Sequence, residues 1–246
     1  MKLSGKTVLV TGGSKGIGRA VVEAMAEQGA NIIINYNNDE QAANEVANLA
    51  KKHSVKVLVV KADIDKQNEV DAMFSKVKSE FSTIDVLVAN AGLFFSGDSP
   101  DNIEAFEKVF NTNVFAQVKV TNAARKLMTK GKIVFVSSIH GKLGHGRPDA
   151  IAYSASKAAL NSYVKNLAKF LAPDILVNAV SPGRTLTPMW GDMDEKYKQQ
   201  QAEGHLINRW IEPSEIADGV VFLAQNDAVC GEILIIDGGM SLKVFG

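Results

Sequence analysis

Seven short runs of apolar, largely β-branched residues recur along the chain, at 7–10, 31–34, 55–60, 84–89, 132–137, 175–180 and 232–236. They are mostly apolar throughout rather than alternating, the pattern of strands covered on both faces, which parallel sheets produce because their crossovers lay helices on either side. Between the runs lie segments with helical spacing. In the first, Ile17, Ala20, Val21, Ala24 and Met25 share a face, and Gly29 follows as a stop signal.

This alternation implies right-handed crossovers and an α/β fold of the doubly wound (Rossmann) type: a seven-stranded parallel sheet with helices on both faces. Ligands in that architecture bind at the carboxyl edge of the sheet. No repeat, low-complexity stretch or composition break interrupts the 246 residues, so one domain over 1–246 is expected. Only 184–209, carrying Pro188, Trp190, Gly191 and Gly204, fails to alternate cleanly. Its length and mixed polarity suggest a lid over the site, with an ordinary surface excursion as the alternative.

Directly after the first run stands Thr11-Gly12-Gly13-Ser14-Lys15-Gly16-Ile17-Gly18, leading into the first helical segment. Glycines at 12, 16 and 18 permit a tight turn and let backbone amides and a helix N-terminus approach a pyrophosphate. Such a turn alone is a weak signal; its place between a strand and a helix gives it weight. Further on, Tyr153 and Lys157 lie four apart in a segment with helical character, 152–171, so their side chains project from one face. A nearby ammonium favours the phenolate and would bring a group of ordinary pKa about 10 toward working pH as a proton donor or acceptor. Alone, the pair is equally well explained by a surface tyrosine packed on a lysine stem.

Together these landmarks resemble the short-chain dehydrogenase/reductase family. Its glycine spacing, T-G-x-x-x-G-x-G, is matched from Thr11 to Gly18. Further matches follow in order: Asn90-Ala91-Gly92, Asn113, Ser138, Tyr153-Ser154-Ala155-Ser156-Lys157, Pro182-Gly183 and Asp237-Gly238-Gly239. The resemblance spans 11–239 and implies an oxidoreductase that moves a hydride between a nicotinamide dinucleotide and a carbonyl/alcohol substrate. It implies Tyr153 as proton donor or acceptor with Lys157 beside it, Ser138 as hydrogen-bond partner of the substrate oxygen, and Asn113 as holder of a water linking the lysine to solvent. Cofactor contacts are implied at Gly12, Ser14, Lys15, Gly16, Ile17 and Gly18, at Tyr36, Asn37, Asp63 and Ile64, at Asn90, Ala91 and Gly92, at Tyr153 and Lys157, and at Pro182, Gly183 and Thr187. Asp63 would take the adenine amino group, although an aspartate closing a strand is more often a helix cap.

Cofactor choice follows from charge. An NAD site offers a carboxylate at the end of the second strand to the ribose hydroxyls; an NADP site avoids that repulsion and supplies a cation. Here the strand runs into Asn35-Tyr36-Asn37-Asn38, the first acid, Asp39, stands where a helix N-cap is expected, and Lys15 sits in the glycine turn. NADP(H) is favoured, with NAD(H) the alternative if Lys15 is only a solvated cation. Among family members the general look is that of 3-oxoacyl-acyl-carrier-protein reductases, partly through Asn35-Tyr36 and the Asp-Gly-Gly ending. The leading expectation is a ketoreductase acting on a small or acyl-thioester carbonyl. An NAD(P)-linked alcohol, sugar or steroid dehydrogenase comes second, and a dinucleotide-sensing or scaffold protein without turnover is the alternative from another class.

A carrier-protein substrate would need bases near the site mouth, and Arg125, Lys126 and Lys169 fall loosely in the matching helices. Helices expected at 102–129 and 152–171 pair subunits in the family. The stripe Leu160, Tyr163, Val164, Leu167, Phe170 and Leu171 could serve both core and partner, so a homodimer or homotetramer is expected. The stretch 139–152 is two residues longer than the commonest family spacing. It places His140, His145 and Arg147 where a polar or anionic substrate could meet them; two histidines without a clear third ligand make a poor metal site.

Lysine plus arginine (27) balances aspartate plus glutamate (27), so no net field draws the chain to nucleic acid or an anionic bilayer. No run approaches the roughly 18 apolar residues of a membrane span, and no signal-peptide pattern opens the sequence. The single cysteine, Cys230, excludes an intrachain disulfide and suits a reducing, cytoplasmic setting. It is expected as a small buried hydrophobe beside the last strand.

Overall fold

The seven expected strands all form in the computed structural model, which describes residues 1–95, 98–142 and 145–243. They are β1 (Thr7–Val10), β2 (Asn31–Tyr36), β3 (Val57–Lys61), β4 (Val86–Ala89), β5 (Gly131–Val136), β6 (Ile175–Pro182) and β7 (Ile233–Ile236). Every pairing is parallel, in the order β3-β2-β1-β4-β5-β6-β7. The central β1, β4 and β5 are buried at each position, which is why their sequences do not alternate.

Successive residues of one strand feed opposite layers. Val8 and Val10 of β1 pack with α1 (Gly16–Glu27), α2 (Glu40–Lys51) and α8 (Pro213–Gln225), through Val22, Val46 and Leu223. Leu9 points the other way, into the layer of α3 (Gln67–Glu80), α5 (Ala116–Arg125) and α6 (Ile151–Leu171), with Phe74, Val120 and Val164. The chain reverses its direction of growth between β1 and β4, and this switch point opens a crevice at the carboxyl edge.

Three expectations need correction, and the stripe on α6 divides between core and surface. The helix over 102–129 is interrupted: α4 (Ile103–Phe110) runs into a π-helical turn, Asn111–Phe115, before α5 begins, and α5 ends at Arg125. In the stripe on α6, Leu160, Val164 and Leu167 belong to the core, and Phe170 is the member that stays exposed, beneath the Arg125 guanidinium at 5.3 Å. Arg125, Lys126 and Lys169 occupy the C-terminal ends of α5 and α6; because crossover helices run against the strands, that is the amino edge, away from the crevice. Cys230 is exposed, since it precedes β7 in a loop turned by Gly231 at φ +77° rather than lying on the strand.

Segment 184–209 is folded. A 3₁₀ turn, Pro188–Trp190, is followed by α7 (Glu195–Ala202). The two are tied down by Trp190 Nε1 donating to the Thr185 carbonyl (3.0 Å) and Trp210 Nε1 donating to the Lys198 carbonyl (2.9 Å). Among the described residues no helix is long and apolar enough to cross a membrane.

Candidate active site

The glycine turn closes the floor of the crevice. Gly12 (φ +61°) and Gly16 (φ +53°) adopt left-handed conformations that an L side chain resists. Gly18 is required for a different reason: a Cβ there would lie 2.2 Å from the Gly12 carbonyl oxygen. The Thr11 hydroxyl accepts from the amides of Asn90 (3.0 Å) and Ala91 (3.1 Å), and Asn90 Nδ2 donates back to the Thr11 and Gly12 carbonyls. The loops after β1 and β4 are thereby locked together. Lys15 is the N-cap of α1 and its side chain caps nothing, so the first-turn amides have no intrahelical or side-chain acceptor.

At this edge lies a cavity of about 540 Å³. It is lined by Gly12, Lys15, Gly16, Ile17, Gly18, Asn90, Ala91, Gly92, Ser138, Tyr153, Lys157, Pro182, Gly183 and Thr187, residues drawn from five separate stretches of sequence. Ser14, Tyr36, Asn37, Asp63, Ile64 and Asn113 do not line it. Ser14 stays in the turn, Tyr36 is buried at the end of β2, and Asn37 is exposed just beyond. Asp63 forms a local turn, accepting from the Asp65 amide (3.1 Å) and pairing with Lys66 (3.3 Å); the α3 N-cap is Lys66 rather than Asp63. Ile64 packs into the core.

Asp39 caps α2, accepting from the Ala42 amide at 2.9 Å, and also holds Lys15 at 2.6 Å. The Lys15 hydrogen bond is the main reason its carboxyl stays below the usual range. Asn35 stitches the strand ends, with Oδ1 accepting from the Gly12 amide (3.4 Å) and Nδ2 donating to the Ala62 carbonyl (3.0 Å).

Tyr153 and Lys157 project from the first turns of α6. The start of that helix is fixed by Asp98, a buried carboxylate that accepts from the amides of Ile151 and Ala152 (2.8 Å for the latter). Burial pushes the Tyr153 phenol up, opposed by the nearby Ser138 hydroxyl and by the charge of Arg147. Lys157 is buried, donates to the Val136 carbonyl at 2.9 Å, and is brought down to about 8 by loss of hydration. The phenol is therefore not lowered by the ammonium as expected; Lys157 Nζ stands 5.7 Å from the ring centre, and desolvation governs both groups.

Asn113, carried on the π turn, accepts from the Leu93 amide (2.7 Å) and donates to the Leu93 carbonyl (2.9 Å) and Ser156 Oγ (3.0 Å). Its two donor hydrogens are thus committed, one to the loop after β4 and the other to α6. A Cβ on Gly92 would sit 3.2 Å from Asn113 Oδ1 and 3.5 Å from Lys157 Nζ, so the absent side chain is what lets the three approach.

Other side chains at the site escaped the sequence reading. Phe94 meets the Tyr153 ring edge-on at 5.1 Å and faces Trp190 at 6.3 Å. Arg184 lines the cavity immediately after Pro182-Gly183; a charge standing at the carboxyl end of a buried strand was the available signal. Of the loop 139–152, Leu143 and Gly144 lie outside the described residues. His140 and Arg147 reach the cavity, while His145 serves through its backbone, its carbonyl lying 2.8 Å from His140 Nδ1. Burial lowers the His140 pKa, favouring the neutral ring.

Residues 12–241 match the family described as Enoyl-(Acyl carrier protein) reductase. The chain is 36% identical to the 3-oxoacyl-[acyl-carrier-protein] reductase FabG of Aquifex aeolicus, over 98% of this chain and 99% of that protein. It is 32% identical to Glucose 1-dehydrogenase 2 of Bacillus subtilis, over 98% and 96%. A short-chain dehydrogenase/reductase of unknown function from Caenorhabditis elegans, solved with cofactor, has a TM-score of 0.92 at 31% identity, covering 99% of this chain and 98% of that one. With whole-length similarity and the same parallel sheet, the chain belongs to the short-chain dehydrogenase/reductase family of oxidoreductases.

Proposed function

We propose that the protein is an NADP(H)-dependent ketoreductase in which Tyr153 exchanges a proton with the substrate oxygen. The observation that carries this reading is the meeting of Tyr153, Ser138 and Lys157 in one cavity with the uncapped N-terminus of α1. Open first-turn amides and a glycine floor fit the diphosphate of a dinucleotide. Bound there, NADP(H) would supply a hydride to a carbonyl carbon or accept one from an alcohol.

The chain's residues do the rest. Tyr153, kept protonated by burial, gives its proton to the alkoxide oxygen as it forms, and takes one back in the reverse direction. Ser138, which lines the same cavity as the phenol, orients the carbonyl. Lys157, held on the Val136 carbonyl, stands behind the phenol with its ammonium 5.7 Å from the ring centre. Asn113 positions the Gly92–Leu93 loop against Lys157. Segment 184–209 serves as the lid, closing Thr187 and Trp190 over the nicotinamide end.

The NADP preference is supported by a β2 end without an acid and by Lys15 at the cavity edge; the phosphate would take Lys15 in place of Asp39. Similarity to Glucose 1-dehydrogenase 2 favours a sugar dehydrogenase as the second reading. The deciding experiment follows absorbance at 340 nm with NADPH or NADH and a panel of thioesters, oxo acids, diketones and sugars, with Tyr153→Phe alongside. NADPH oxidation that falls at least about 100-fold in the variant is expected. Turnover unaffected by Tyr153→Phe, or none with any carbonyl, overturns the reading.

A further inference from the structure

We propose that the substrate is a small oxo acid, carrying one carboxylate and an apolar body, and that Arg184 receives the carboxylate. This rests on the ketoreductase reading and narrows it.

Charge around the cavity is unevenly satisfied. Lys15 is paired with Asp39 at 2.6 Å. Arg147 is paired through two nitrogens with Asp149 and lies over the Phe94 ring at 5.7 Å. Lys157 faces the Val136 carbonyl behind Tyr153. Arg184 has no carboxylate partner among the described residues; Nη1 donates to the Gln201 carbonyl at 3.2 Å, and Nε is buried without an acceptor. The guanidinium is half-withdrawn from water, and with Nε enclosed the donor left for a carboxylate is Nη2, which makes no hydrogen bond among the described residues.

The arithmetic of charge sets the class. Arg147 with Asp149 is neutral and Lys157 stands behind the phenol, so Arg184 leaves one uncompensated positive charge at the open substrate end. A monoanion balances it, whereas a phosphate of about two charges would not. Burial and then the charge of Arg147 lower Arg184, and Arg147 senses Tyr153, which keeps the positive region within reach of the reacting oxygen. The remaining wall is apolar, built from Phe94, Met189 and Trp190. Arg125, Lys126 and Lys169 lie at the opposite edge of the sheet, and His140 is kept neutral by burial, so Lys15, Arg147 and Arg184 are the cations among the described lining residues outside the catalytic group. This favours a free acid over a carrier-bound one.

The reaction balances simply. The carbonyl carbon takes a hydride, two electrons with one proton, from NADPH; the oxygen takes a proton from Tyr153, which solvent restores. The carboxylate is unchanged, and oxo acid, NADPH and a proton become hydroxy acid and NADP⁺.

The test compares 2-, 3- and 4-oxo acids bearing short alkyl or phenyl groups with their methyl esters, in the wild type, Arg184→Met and Arg184→Lys. The wild type is expected to prefer the best acid over its ester by roughly 10- to 100-fold in kcat/KM. Arg184→Met should erase that ratio through the KM of the acid, and Arg184→Lys should restore part of it. An ester used as well as its acid, or an Arg184→Met loss equal for both, overturns the proposal and reduces Arg184 to a tether of Gln201. Thermal shift of the NADP⁺-loaded protein with each hydroxy acid and its ester separates the two readings. Acid-selective stabilisation lost in Arg184→Met supports the anion subsite even if turnover fails; no selectivity, with turnover of neutral carbonyls intact, removes the subsite and leaves the ketoreductase.

Discussion

Lys157 is a cation folded into a site that hydrates it poorly, and its pKa of about 8 against an ordinary 10.5 records the cost. Between those values the unfolded chain binds more protons than the folded one, so stability rises with pH across that window and the full penalty, roughly 3 kcal/mol, applies at neutral pH. Replacing Lys157 by Met removes the penalty and leaves the Val136 carbonyl unpaired, a loss of about 1 kcal/mol. Thermal melts should therefore show Lys157→Met melting a few degrees higher at pH 7, the gain shrinking toward pH 10.5, while reductase activity disappears. A variant less stable than the parent at pH 7 would refute the sign. Asp39 carries a second residue-scale prediction. Asparagine caps a helix as well as aspartate does but releases Lys15. Asp39→Asn should raise the NADPH-over-NADH ratio of kcat/KM by up to about fivefold, with helix content unchanged by circular dichroism. A fall in the ratio would mean that Asp39 is not the competitor of the 2′-phosphate.

Elements differ in how much of themselves they owe to local sequence. The seven strands were legible because a buried parallel strand is apolar at consecutive positions, and the turn after β1 because its glycines are demanded by local clashes. Gly18→Ala would bring a Cβ to 2.5 Å from Asn90 Nδ2 as well as onto the Gly12 carbonyl, disturbing the bond that locks the loops after β1 and β4. It should lower the melting temperature by about 5 °C and abolish stabilisation by NADPH in the same melts. Gly13→Ala, 3.0 Å from Ile34 Cγ2, should retain that stabilisation. The π turn at Asn111–Phe115 had no such signature. It places a buried Asn113 that bonds to Leu93, twenty residues away, and nothing within the segment announces that partner.

For the whole molecule, a balanced charge and two apolar layers on one sheet yield an ordinary doubly wound body; what distinguishes it is concentrated at the switch point. The seven strands, the glycine turn and the Tyr153–Lys157 pair were written in the sequence because each depends on spacing within a few residues or on the period of one element. The tertiary structure alone decided which charges are spent and which remain. Lys15 finds Asp39, Asp98 reaches across to seat the helix bearing Tyr153, and Arg184 is left without a carboxylate partner among the described residues while Arg147 is neutralised. It also reversed the expected effect on Tyr153 and exposed Cys230. Burial and ion pairing are relations between stretches that only packing brings together, and no local pattern encodes the partner a side chain will meet.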